Sequence, residues 1–388
     1  MQSGIKSFIV FKYIKEFKIG VDRVDEPKHN LDRQIGPELL RIIAMLLIVF
    51  HHFALHGGID YTTFSLNNAY MNVIEFGGKI SVNVFIIISG YFSCTSKFSF
   101  KKVFKLLFVV EFYSLTLMIV SLFTGAQEFR VMIFVKGFFP LLFDGYWFVT
   151  IYIILYVLSP ILNTGIDKLR KTHLCLIIVF LLALYCVLPN TIGTLKSISS
   201  FEYSMVIWFV TMYLIGGYFR HYGFPLIKHT TLAFLLLTMS LFIMFSARTL
   251  QLYLGADFGE KFAKYIQIFA ENNPSSIMSL VISILMFCVF LPIKFRGNRM
   301  FYNISKATFG VYLIHDNPFF YSFMWKNIIH TKEMYNMPLF IPLSIMSVFL
   351  LYTVCTIIEI IRENYIEKPL FSLKVINGFI SFLDLKIT

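Results

Sequence analysis

Apolar residues run along this chain in blocks of about twenty, interrupted by short stretches rich in Lys, Arg, Asn and Gly. A helix that crosses a bilayer needs roughly 20 mostly apolar residues, within a range of about 17–25. Ten blocks meet or approach that requirement: 38–56, 80–96, 104–124, 146–163, 174–190, 204–220, 231–248, 277–293, 307–325 and 338–361. The second is short and polar, and the ninth is interrupted by Pro318, which cannot continue a helix. The expected fold is an all-α membrane protein, a bundle of about ten transmembrane helices. No period of 20 to 50 residues marks a solenoid. The two halves lack the matched broken segments of transporter inverted repeats.

Composition agrees with that pattern. Of the 388 residues 57% are hydrophobic, 18% aromatic and only 14% charged, and the mean hydropathy is +0.73. A soluble domain with these values would expose large apolar patches to water. The net charge of +12 marks cytoplasmic loops and anionic lipid in such a chain, not nucleic acid, for which no binding motif is present. Placing the N-terminus inside puts 25 of the 34 Lys and Arg on the cytoplasmic side and 9 on the other. The bias supports ten spans with both termini cytoplasmic. The FIVF stretch near the start is broken at once by Lys12 and Lys15 and lacks a small-residue cleavage site, unlike a secretory signal peptide. Residues 1–30 are expected to form a cytoplasmic lead, 31–365 the transmembrane domain and 366–388 a cytoplasmic tail. The five Cys lie within or beside apolar segments with no CxxC pair, so neither structural disulfides nor a zinc site, nor any other metal, is expected.

The first apolar block carries ionisable groups at both ends: Glu38 and Arg41 at one, His51 and His52 at the other. Such groups at membrane depth are expensive and usually face a bundle interior or a wet cavity. Arg41 and His52 are eleven residues apart, which on a helix leaves them about 20° apart in azimuth and roughly 16 Å apart along the axis. They share a face, whereas His51 points about 100° away. Glu38, three residues before Arg41, is close enough to hold its guanidinium. Two readings fit this segment alone, a functional face or a set of interfacial anchors with histidines capping the span.

Other polar positions are equally double-sided. Ser89-Gly90-Tyr91 ends the second block, where small residues also serve close helix packing. Lys102 and Lys105 follow one turn apart, placed to meet phosphates or simply to keep a loop inside. Trp147-Phe148 opens the fourth block, as an interfacial anchor or a ring platform for a sugar. Tyr312 and His315 lie one turn apart in the ninth, and a second membrane histidine needs a partner.

Taken in order, Glu38-x-x-Arg41-x-x-Ala44, His52-Phe53, Asn83-Val84-Phe85-x-x-x-Ser89-Gly90-Tyr91, Trp147-Phe148 and Phe309-Gly310-Val311-Tyr312-Leu313-Ile314-His315 resemble the acyltransferase-3 family of bacterial membrane O-acyltransferases. The resemblance spans about 31–365, and the ten residues between Arg41 and His52 match the family spacing of its Arg and functional His. It implies a stand-alone enzyme of the bacterial inner membrane that moves an acyl group, commonly acetyl from cytoplasmic acetyl-CoA, to a hydroxyl of a surface or lipid-linked glycan. It further implies catalytic His52, Arg41 and Glu38, with Ser89, Tyr91, Trp147, Tyr312 and His315 as substrate-binding residues. The family's Arg-x-x-Arg for CoA phosphates falls on Lys102 and Lys105, which keep the charge but lose the bidentate fork. A neutral imidazole suits proton removal from a hydroxyl near physiological pH, so His52 is expected to be the general base.

A glycan or lipid transporter or a polysaccharide polymerase would also carry many spans and intramembrane charges. A polymerase is expected to have a large Arg-rich outer loop. The largest outer loop here, about 248–276, holds Arg248, Lys261 and Lys264 beside Asp257, Glu260 and Glu271.

Overall fold

The apolar blocks become helices because a backbone in lipid must satisfy its own hydrogen bonds, and the ninth block is divided near Pro318. The computed structural model describes residues 34–61, 63–143, 145–191, 204–254, 266, 268–270 and 272–385. It is 81% helical, with no strand among the described residues. The expected cytoplasmic lead lies outside them.

In chain order the helices are α1 (Ile35–His56), α2 (Leu66–Ser93), α3 (Phe100–Phe123), the short α4 (Val131–Phe138), α5 (Trp147–Lys168), α6 (Lys171–Thr191), α7 (Met205–Tyr222), α8 (Thr230–Leu254), α9 (Ile277–Phe290), α10 (Arg299–His315), α11 (Phe340–Ser372) and α12 (Lys374–Leu385). Seven of them, α1, α2, α3, α5, α6, α8 and α11, are long and apolar enough to cross a membrane. The remaining three expected blocks fall on α7, α9 and α10.

Two elements differ from expectation. Helix α2 starts at Leu66, where block 80–96 was expected, because the polar run containing Asn68, Asn72, Glu75 and Lys79 is helical despite its low hydropathy. Its amides are satisfied locally: Asn68 donates to the Thr63 carbonyl at 2.7 Å, and Asn72 receives the Arg248 guanidinium at 2.7 Å. Helix α10 occupies 299–315 where 307–325 was expected. Asn298 caps its start by accepting the Phe301 amide at 2.8 Å, and Pro318 ends its run. Helix α11 continues through Ser372, so the expected tail boundary at 366 falls inside a helix.

The described residues from Ile35 onward form one compact unit. Helix α2 is its axis, packed against α1, α7 and α9. The crossing with α7 is close, because a Cβ on Gly90 would overlap the Tyr213 backbone and one on Gly216 would overlap the Ile87 carbonyl. This is the packing use of small residues that membrane helices favour. Around α1 a second apolar core gathers α3, α10 and α11 through Val49, Phe53, Tyr113, Val311, Trp325 and Val348. Large apolar side chains face outward on α6, α8 and α11, among them Phe180, Phe242 and Leu350, as lipid contact requires.

Candidate active site

The geometry begins on α1. Arg41 and His52 both face the bundle, as the eleven-residue spacing dictates. His51 points elsewhere: its Nδ1 bonds the Glu75 carbonyl oxygen and its ring fills the space that a side chain at Gly78 would need. It is a packing histidine between α1 and α2.

His52 is 7% exposed and meets the end of α10, where His315 is fully buried. Its Nδ1 lies 2.9 Å from His315 Nε2, and His315 Nδ1 lies 2.6 Å from the Val311 carbonyl oxygen. A carbonyl only accepts, so His315 Nδ1 carries a proton. In a neutral ring that leaves His315 Nε2 as acceptor, and His52 Nδ1 must donate to it. The lone pair of neutral His52 is therefore on Nε2. That atom faces Asp316 Oδ2 at 3.6 Å, and Asp316 Oδ1 is 3.1 Å from His56 Nε2. His56, one turn beyond His52, stacks on Tyr321 with ring centroids 4.2 Å apart.

The α10 terminus is fixed by its surroundings. Asn317, fully buried, donates to the Tyr146 hydroxyl at 2.7 Å and to the Tyr113 carbonyl at 3.2 Å. The Tyr146 hydroxyl in turn donates to the Leu313 carbonyl at 3.0 Å. At the end of α10, the Leu313 carbonyl is thus tied to the Tyr146 hydroxyl that precedes α5, and just beyond it the Asn317 side chain is tied to both that hydroxyl and α3. His315 and Asp316 inherit that rigidity.

Tyr312 reaches the same locality. Its ring lies edge-on to His315, Tyr146 and Phe148, and its buried hydroxyl has no hydrogen-bond partner among the described residues. An orphaned buried hydroxyl costs about 1–3 kcal/mol, so it suits a site that a substrate oxygen completes. Trp147 is 38% exposed and sits beyond Phe148, a ring away from Tyr312.

Arg41 occupies the other end of α1. Glu38 accepts from it at 2.7 Å and also from the Ser305 hydroxyl of α10. The guanidinium lies 5.8 Å from the Phe92 ring centre. Tyr91 carries the Arg220 guanidinium 5.1 Å above its own ring. Ser89 donates to the Phe85 carbonyl of its own helix at 2.9 Å and lies 3.4 Å from the Tyr152 hydroxyl. Ser89 and Tyr91 thus stand with the Arg41 end and α2, apart from the histidines.

Lys102 is exposed on α3. Lys105 pairs with Glu367 at 3.0 Å, and Glu367 also accepts from Arg362 at 2.7 Å. Arg362 makes two further bonds to Glu359, which receives the Tyr113 hydroxyl at 2.7 Å. Asp384 of α12 accepts the Phe100 amide at 2.6 Å and the Ser99 hydroxyl at 3.1 Å, and so occupies the α3 N-terminus with a carboxylate.

Sequence reasoning missed His56, Asp316, Asn317 and Tyr146. His56 was detectable as the i+4 neighbour of His52 on the same face, and Asp316 as the residue beside His315. Nothing in the pattern points to Asn317 or Tyr146, whose roles depend on three helices meeting.

A protein-family model described as an acyltransferase domain matches residues 34–359, nearly all of the helical unit and every element of the site except α12 and the end of α11. No curated protein and no solved structure matches the chain.

Proposed function

The chain belongs to the acyltransferase-3 family and is a membrane acyltransferase, and from that premise we propose that it transfers an acyl group, commonly acetyl, from cytoplasmic acyl-CoA to a hydroxyl of a surface or lipid-linked glycan. The observation that carries this reading is the bonded His52–His315 pair, whose tautomers leave the His52 Nε2 lone pair open toward Asp316. The acceptor hydroxyl gives its proton to that nitrogen, and its oxygen attacks the thioester carbonyl. The tetrahedral intermediate expels the CoA thiolate, which receives the proton. His52 becomes positive during the step, and Asp316 beside it and the His315 lone pair behind it stabilise that charge. The base is an imidazole, so this route calls on no metal ion.

Arg41 is roughly 16 Å along the helix from His52, too far to touch the reacting carbon. It orients the nucleotide end of the donor, with Glu38 holding the guanidinium. The separation is of the order of an extended pantetheine arm, which reaches from phosphates to thioester. Lys102 and Lys105 contribute charge to the phosphates, Lys105 shared with Glu367, and Arg220 stands nearby above Tyr91. Tyr312 supplies its orphaned hydroxyl to the reacting carbonyl or acceptor oxygen, and Trp147 offers the outermost ring to the sugar. On this reading the protein sits in a bacterial inner membrane with both termini cytoplasmic, a topology that the Lys and Arg bias supports.

The test is label transfer. Purified full-length protein in lipid nanodiscs, given acyl-labelled CoA and glycan, is expected to release CoA thiol and to label the glycan. His52→Ala is expected to lower the rate by at least about 100-fold, the contribution of a positioned general base, while the protein remains folded. Transfer at the normal rate by His52→Ala would remove His52 from the reaction.

A further inference from the structure

The His52 end holds an unresolved contact between acceptors. With its proton on Nδ1, neutral His52 presents a lone pair from Nε2 to Asp316 Oδ2 at 3.6 Å. Two acceptors at that separation repel unless a positive or hydrogen-donating group stands between them. A substrate hydroxyl answers that need during turnover. A cation answers it as well, and a third donor atom is already at hand.

His56 Nε2 lies 3.1 Å from Asp316 Oδ1, and the ligand atoms of His52, His56 and Asp316 all fall within 4.8 Å of one another. Tetrahedral zinc with bonds of about 2.0–2.1 Å places its ligand atoms roughly 3.3–3.5 Å apart, and the 3.1 and 3.6 Å separations bracket that value. Two imidazoles and one carboxylate make a donor set that suits zinc, and three protein ligands leave one position open. The supporting contacts match those of ligating histidines, which donate their second ring N–H to a neighbour. His52 does so to His315, which is itself held by Val311. The His56 and Asp316 side chains keep 18% and 13% exposure, so an ion has a way in.

We propose that His52, His56 and Asp316 form a site for one divalent ion of the zinc class, and that its occupancy competes with acyl transfer. The ion takes the His52 Nε2 lone pair and displaces the proton from His56 Nε2, which moves to Nδ1 or to solvent. The binding claim stands on geometry alone. The competition claim rests on His52 serving as the base, since ion and acceptor proton need the same lone pair.

The probe is zinc itself, titrated into chelator-treated full-length protein in nanodiscs against a fluorescent zinc indicator, with cobalt as a spectroscopic stand-in. One equivalent per chain is expected, with the intense visible bands of four-coordinate cobalt. His56→Asn and Asp316→Asn should each weaken binding by more than the roughly 10–100-fold that loss of a supporting outer contact costs. His221→Asn, which alters the separate His221–Asp167 pair, should leave binding unchanged. Absence of saturable binding by the unsubstituted protein, or binding indifferent to both substitutions, overturns the site. Saturating zinc should also stop transfer by the unsubstituted protein, and chelator should restore it. Transfer that ignores zinc, or that requires it, overturns the competition. Because indicator titration involves no turnover, a failed base assignment for His52 would leave the binding result standing.

Discussion

At the scale of single residues, the site works through tautomers. One backbone carbonyl at Val311 fixes the proton on His315, His315 fixes the proton on His52, and the reactive lone pair is thereby aimed. His315→Ala is expected to lower kcat by about 100-fold, the lower end of what a positioned proton-transfer group contributes. KM for acyl-CoA should change little, since the proposal puts the donor's nucleotide end near Arg41. His315→Gln, whose amide oxygen can accept from His52 Nδ1, should recover part of that loss. Steady-state kinetics of the three proteins checks the order; equal rates for Ala and Gln would contradict a positioning role. The face shared by Arg41 and His52 was legible in the sequence because helical spacing alone sets it. The partner of His52 was half legible: His315 stood out as a second membrane histidine, but 263 residues separate the two, and no local rule connects them. Asp316 and His56 escaped because each adjoins a more conspicuous histidine.

At the scale of elements, α10 is held as firmly at its Arg41 end and middle as at its terminus. Ser305 bonds Glu38 of α1, and Gly310 lies flush against the Glu359 carboxylate of α11. That carboxylate belongs to the buried set of Tyr113, Arg362, Glu367 and Lys105. A Gly to Ala change inside an exposed helix ordinarily gains about 0.5–1 kcal/mol. Gly310→Ala is expected to do the reverse here, because the added methyl overlaps Glu359 and pushes a buried charge off its partners, a disturbance in the class that costs about 3–5 kcal/mol. Thermal unfolding in detergent measures it, and an unchanged or raised Tm would contradict the packing described. The sequence signalled an all-α membrane bundle well because each apolar block is a local property, and seven of the ten blocks fall on helices long and apolar enough to cross a membrane. It misplaced the start of α2 because polar residues that lower hydropathy, such as Asn72 and Glu75, are helical where the distant Arg248 donates to one and pairs with the other, and it misplaced the span of α10 because the helix begins at the Asn298 cap and ends before Pro318.

At the scale of the whole molecule, one helix joins two chemistries on opposite sides. Helix α1 carries the Glu38–Arg41 pair at one end and the histidine cluster at the other, and the proposed function uses the first end for the donor and the second for the acceptor. In the proposed topology, drawn from the Lys and Arg bias, the Arg41 end faces the cytoplasm. Single cysteines introduced at Lys97 and Arg299 are expected to react with a membrane-impermeant thiol reagent only after the cells are opened, and one at Lys332 in intact spheroplasts. The opposite pattern would reverse the side from which the donor arrives. Fold class and the Arg41–His52 axis were legible from composition, period and motif order. The joining of α1 to α10 was not, since it depends on long-range packing. The central claim, that His52 drives acyl transfer to a glycan, is tested most directly by NMR of surface glycan from cells carrying the intact gene, no gene, or His52→Ala. O-acyl signals are expected only with the intact gene, and the polymer itself in all three. O-acyl signals that persist with His52→Ala, or loss of the polymer, would contradict the account.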